Sequence, residues 1–174
     1  VHSFEARVRH PNELQGVFSA VEGDDSAYQQ LSVLLSAVGL QPLRIDARNK
    51  LAYHAASVFS CNYLTALFDV ALTLMHEAGV ERDTARTVLM PLVKGTVANL
   101  ENLDTPQALT GPIARADSEL VAKQHEAIQA LDPHYGLLYR ELGKVALELT
   151  RKAGRHSPQR CDAVAELLAT TKAP

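Results

Sequence analysis

Cysteine is scarce in this 174-residue chain: Cys61 and Cys161 are the only two, they lie far apart, and no CxxC pair exists. A disulfide scaffold and a thiolate zinc site are therefore excluded, and a reducing cytoplasm is the expected setting. Excess charge of one sign is also missing. Seventeen basic against twenty acidic residues leave a net charge of -3, so no basic footprint for nucleic acid exists. Glycine-rich phosphate motifs are absent: neither GxGxxG nor GxxxxGK[ST] occurs, so the chain alone lacks the loop that seats a dinucleotide. His76-Glu77 lacks the second histidine of a metalloprotease motif, and no GxSxG elbow is present. His125, His134 and His156 share no ligand spacing and read as surface histidines. No Lys/Arg-led apolar segment opens the chain, so nothing argues for secretion.

What remains is a globular composition, 47% hydrophobic and 21% charged. A chain of this length buries roughly two-thirds of its unfolded surface without staples. It begins at Val1, and the polar stretch VHSFEARVRHPNELQG reads as a loop that follows something, as in a piece of a longer protein. Gly16 to Gly23 is a short β-type run with Val17, Phe18 and Val21. Asp24, Asp25 or Ser26 can cap a helix that carries Leu31, Leu34, Leu35 and Val38 and stops at Gly39. Gln41 to Asp46 is a second strand. Strand, helix and strand in about thirty residues make a βαβ unit, too small to stand alone.

From Ala47 onward no β-rich run appears, and the sequence predicts helices. One runs from Arg48 to Ala78, with apolar residues on nearly every face, so burial nearly all round is expected. Its length would span a bilayer. However, His54, Asn62 and Asp69 punctuate it, and its flanks lack a Lys/Arg cluster and a Trp/Tyr belt. The central helix of a bundle, covered in part by a second subunit, is the reading taken, with no membrane partner. Glu81 to Leu100 follows, with a kink or break expected at Pro91. Asn102 to Asp117 reads as a loop. Three helices close the chain: Asp117 or Ser118 to Leu131, Asp132-Pro133 to Gly154, and Ser157-Pro158 to Leu168.

Two places carry candidate chemistry. In YHAASVFSCN, His54, Val58 and Asn62 recur every four residues on one helix face. Either His54 and Asn62 orient a substrate, with the imidazole moving a proton, or they satisfy neighbours in a core or dimer seam. In ALTGPIARAD, Gly111-Pro112 turns the chain tightly and Thr110 offers a hydroxyl. Arg115 offers a planar cation for carboxylate or phosphate, and Asp117 offers a cap. An ordinary helix connection with a solvated Arg115 explains the same residues.

The succession VEGDD, YHAASVFSCNYLTAL, PLVKGTVANL, LTGPIARAD with His125 eight residues on, and YGLLYRELG resembles the C-terminal portion of the Rossmann-like, DUF2520-containing oxidoreductases. These are part of the 6-phosphogluconate-dehydrogenase-C-terminal-like superfamily. The resemblance covers about Gly16 to Leu142. It implies a mainly α fold, a helical bundle preceded by a small βαβ remnant of a Rossmann domain. Residues 1–46 would end the nucleotide-binding domain, and residues 47–174 would form an all-α substrate and dimerisation domain. It implies NAD(P) as cofactor of the full-length protein, with none expected for this chain alone, together with a homodimer and a small-molecule substrate. His54 and Asn62 would be catalytic, and Tyr53, Thr110, Gly111, Pro112, Arg115 and Asp117 would bind substrate. Related dehydrogenases use a lysine near the start of the long helix. Here His54 stands at a comparable position, and Lys50, one turn earlier, is the fallback. The family's loop has glycine before the aspartate where this chain has Ala116. A non-catalytic helical dimerisation or ligand-binding module is the alternative.

Overall fold

The computed structural model describes residues 14–169, so most of the expected opening loop lies outside the described residues. The chain forms two compact units that divide between Thr73 and Leu74. The expected fold class is the observed one: mainly α, with a small parallel βαβ unit at its start.

In the first unit, β1 (Phe18–Val21), α1 (Asp25–Ala37) and β2 (Gln41–Arg44) follow in order. The strands pair in parallel, Phe18 opposite Gln41 and Val21 opposite Arg44; each is shorter than the sequence run suggested. Asp24 caps α1 by accepting from the Ala27 N–H at 2.8 Å. Gly39 leaves the helix at φ +86°, a left-handed conformation that costs glycine little. Arg44 ties β2 to α1 through Asp25 at 2.6 Å and lies over the Tyr28 ring.

A single helix, α2 (Ala47–Glu77), then crosses from one unit into the other. Its first turn is 3₁₀, and Asp46 accepts from the Arg48 N–H at 2.9 Å. The Arg48 guanidinium folds back on Asp46 and holds its carboxyl below the usual range. The expectation of all-round burial fails within this chain. Leu72 is the one buried residue of α2, while Leu51 is 84% and Phe59 67% exposed. By length and composition alone α2 could cross a membrane. Its apolar residues are half-buried or buried from Leu67 to Met75, whereas Leu51, Phe59, Tyr63 and Leu64 stay exposed.

The second unit contains α3 (Arg82–Asn102), α4 (Thr105–Ala108), α5 (Ser118–Leu131), α6 (Pro133–Ala153) and α7 (Pro158–Ala169). Helix α3 runs through Pro91 without the break allowed for it, because proline removes only one ladder bond when the turns on both sides stay intact. Part of the expected 102–117 loop is helical: α4 is a single turn with Pro106 near its start. Helices α5, α6 and α7 pack on one another. Ala116, Val121, Leu147, Cys161, Val164 and Leu168 form their core, flanked by Ile113 and Tyr139. Close approach of α6 depends on two glycines. A methyl on Gly136 would meet the Gln129 backbone at 2.9 Å, and one on Gly143 would meet Leu168 at 2.8 Å.

Candidate functional site

Between His54 and Asn62 the helix changes its winding. Val58–Asn62 is π-helical, closed by the Tyr63 N–H donating to the Val58 carbonyl. Hydroxyls take up carbonyls near this stretch: Ser57 donates to the His54 carbonyl at 2.7 Å, and Ser60 donates to that of Ala56 at 3.1 Å. Such back-bonding supplies partners where the regular ladder is disturbed.

The winding decides which residues share a face. In an unbroken α-helix, positions eight apart differ by about 80° around the axis. A π segment turns through only about 80° per residue instead of about 100°, so His54 and Asn62 come within roughly 10° of each other. Asp69 and Thr73 then fall within about 20° of Asn62 on the same count. His54, Asn62, Asp69 and Thr73 thus share one face of a helix that also carries Ser57, Ser60 and Thr65 on its other faces. Phe59 and Tyr63, off the shared face, stack edge to face at 4.9 Å. His54 and Asn62 are exposed, and neither side chain has a hydrogen-bond partner among the described residues. About 12 Å of helix rise separates them, enough to flank a small molecule but not to grip one atom. Tyr53, one residue from His54, is half-buried. Lys50, the fallback base, is engaged elsewhere in an ion pair with Glu22.

The second candidate stretch is a structured loop. Gly111 has φ +93° and Ala116 φ +49°. Ala116 is therefore the position where the family's glycine would sit without strain, and here its methyl is 4% exposed in the core. The Asp117 N–H donates to the Pro112 carbonyl at 3.0 Å, closing the turn. Asp117 caps α5 by accepting from the Leu120 N–H at 3.1 Å, so one of its oxygens is committed to structure. Thr110 is exposed at the loop's start. Arg115 lines a cavity of about 500 Å³ with Asp117, Ser118, Gln159 and Arg160. The Arg115 guanidinium has no hydrogen-bond or ion-pair partner among the described residues, whereas Glu119 beside it is paired with Lys123 at 2.6 Å. The exposed, unpaired Arg115 guanidinium suits a carboxylate or phosphate, and the Asp117 and Glu119 carboxylates share the cavity lining with it and Arg160.

Three residues hold this loop, two that sequence reading passed over and one, His156, that it read as a surface histidine. Thr150 donates to the Ile113 carbonyl at 3.2 Å, His156 Nε2 bonds the Ala114 carbonyl at 2.9 Å, and Arg160 donates to the Arg115 carbonyl at 3.3 Å. His156 is thus half-buried and bonded, not a free surface histidine. They stand 37 to 45 residues from their partners, beyond the reach of any local pattern. His125 is half-buried against the Tyr139 ring, its Nε2 buried without a partner. Burial pushes the Tyr139 hydroxyl above its usual pKa, and that hydroxyl donates to Gln124 at 2.9 Å.

No group of histidine, cysteine, aspartate and glutamate among the described residues could hold a metal ion. The β1–α1 turn, where a dinucleotide fold seats phosphates, reads Glu22-Gly23-Asp24-Asp25. Asp24 takes the Ala27 N–H at this helix start, while Asp25 pairs with Arg44 and Glu22 with Lys50. The described residues do not fit the pyrophosphate of NAD(P).

No curated protein matches the chain. Among the solved structures that share its fold are two relatives. Protein TM1727 from Thermotoga maritima is 22% identical with a TM-score of 0.73, covering 83% of this chain and 57% of that one. A protein described as "putative NADP oxidoreductase BF3122 from Bacteroides fragilis" is 23% identical with a TM-score of 0.60, covering 72% and 47%. The chain thus spans less than two-thirds of the length of these relatives in structure. The family model for a domain of unknown function, DUF2520, matches residues 17–169. With nearly its whole length matched in this way, the chain belongs to the DUF2520 family.

Proposed function

We propose that this chain is the C-terminal region of an NAD(P)-dependent oxidoreductase and supplies the substrate-side wall of its active cleft. Residues 1–46 end the nucleotide-binding domain, and residues 47–174 form the all-α domain. The carrying observation is the winding of α2: a π segment brings His54 and Asn62 onto one face of the helix, and π segments concentrate at functional sites. His54 gives or takes a proton at the substrate's carbonyl or hydroxyl oxygen, and Asn62 orients the substrate by hydrogen bonds. Tyr53 lies beside them. Thr110, Gly111, Pro112, Arg115 and Asp117 form a second, separate binding element in which Arg115 takes a carboxylate or phosphate. The structural neighbour described as a "putative NADP oxidoreductase" supports the reaction class. In this reading the nucleotide is held by a preceding part of the Rossmann domain, which the partial coverage of the structural neighbours supports.

The same reading makes the protein a cytoplasmic homodimer that binds neither membrane nor nucleic acid. The homodimer is supported by the exposed apolar residues of α2, Leu51, Phe59, Tyr63 and Leu64. Burying each such side chain stabilises by about 1.5–3 kcal/mol, so a second copy is a favourable cover.

Calorimetry tests the division of labour. The 174-residue chain is expected to show no micromolar binding of NADP, while a longer chain that includes an upstream strand and GxGxxG turn binds it. Micromolar binding by the short chain would contradict the proposal. The alternative, a non-catalytic dimerisation or ligand-binding module, is favoured if no such upstream motif exists.

A further inference from the structure

We infer that His156, with Thr150 and Arg160, is a positioning residue that fixes the backbone of Ile113 to Arg115 and so aims the Arg115 guanidinium into the cavity beside Asp117 and Ser118. The inference rests on the reading of Arg115 as the group that takes the substrate's anionic end. Three successive carbonyls, those of Ile113, Ala114 and Arg115, each accept a hydrogen bond from a different side chain. The donors come from α6, from the connection after it, and from α7. Loop carbonyls commonly go to water; three in a row held by side chains mark a backbone under control.

Arg115 needs that control. Its side chain has no bonded partner among the described residues, so its backbone sets where the guanidinium begins. Ala116, the next residue, is buried in a left-handed conformation, which fixes one side of Arg115. The Ala114 carbonyl is the other side, and His156 holds it at 2.9 Å in a part-buried setting. Because a carbonyl only accepts, the Nε2 of His156 must carry the proton, and in the neutral ring Nδ1 is then bare. Thr150 divides its single proton between the Ile113 and Ala146 carbonyls, so it is the weaker hold. Arg160 spends one N–H on the Arg115 carbonyl and also lines the cavity.

Nitrogen-15 spectroscopy of the full chain tests this. In the wild type the His156 ring should show a protonated Nε2. The amides of Ala114 to Ala116 should be rigid, with order parameters of about 0.85. His156→Ala should drop them below about 0.6 and weaken binding of inorganic phosphate or oxalate about tenfold, the scale of a slightly misplaced group. His156→Gln, whose amide nitrogen reaches a similar point, should restore both, and His134→Ala should change neither. Loss of probe binding in Arg115→Ala but not in His156→Ala overturns the positioning role and leaves Arg115's role intact. Unchanged binding in Arg115→Ala, or none in the wild type, overturns the Arg115 reading, while loop order in His156→Ala still decides the hold. A bare Nε2 in the wild type overturns the inference even if His156→Ala does not fold.

Discussion

Ala116 shows how two residue-level costs oppose each other. A left-handed conformation costs an L-residue about 1–2 kcal/mol, and Ala116 has φ +49°. Its buried methyl contributes about 0.8 kcal/mol, and alanine also restricts the unfolded chain by about 0.4–1 kcal/mol relative to glycine. Ala116→Gly should therefore change stability by less than about 1 kcal/mol in urea unfolding. A loss well above that would mean the methyl packs better than its size implies. The sequence pointed to this position through the family's glycine, and to Asp117 as a cap, because turns and caps are local chemistry. The holds at Thr150, His156 and Arg160 were not legible, because each joins residues far apart in sequence.

At the scale of elements, the helices were legible where caps and breakers mark their ends. Asp24, Asp117 and Asp132 each accept a backbone N–H at a helix start. The π segment of α2 was not legible, because Val58 to Asn62 carries no residue that demands it; the recurrence of His54, Val58 and Asn62 every four residues suggested a shared face, and the altered winding is what brings His54 and Asn62 onto it. The burial of α2 was misjudged because periodicity reports what a helix can cover, not whether a cover is present. Two glycines give a paired prediction. Gly95 on α3 has open space where a Cβ would stand, so Gly95→Ala should stabilise by about 0.5–1 kcal/mol. Gly136 faces the Gln129 backbone, so Gly136→Ala should lose about 1–2 kcal/mol through overpacking despite better helix propensity. Thermal unfolding of both variants checks the pair; a stabilised Gly136→Ala would contradict the close α5–α6 approach.

For the whole molecule, exposed apolar side chains on α2 set the expectation of a partner. Sedimentation of the full-length protein should show a dimer at micromolar concentration, and Phe59→Lys should shift it towards monomer by placing a charge in the seam. A stable monomer in the wild type would count against the homodimer. The central claim concerns the face of that helix shared by His54 and Asn62, and its imidazole. The most direct measurement is NADPH-dependent turnover of the full-length protein on a panel of small carbonyl compounds, beside its melting temperature, for the wild type and His54→Ala. Loss of a proton-transfer group should lower turnover on the order of a hundredfold or more, with the melting temperature within about 2 °C, since an exposed side chain contributes little to stability. Unchanged turnover, or a fall in melting temperature that accounts for the lost rate, would contradict it.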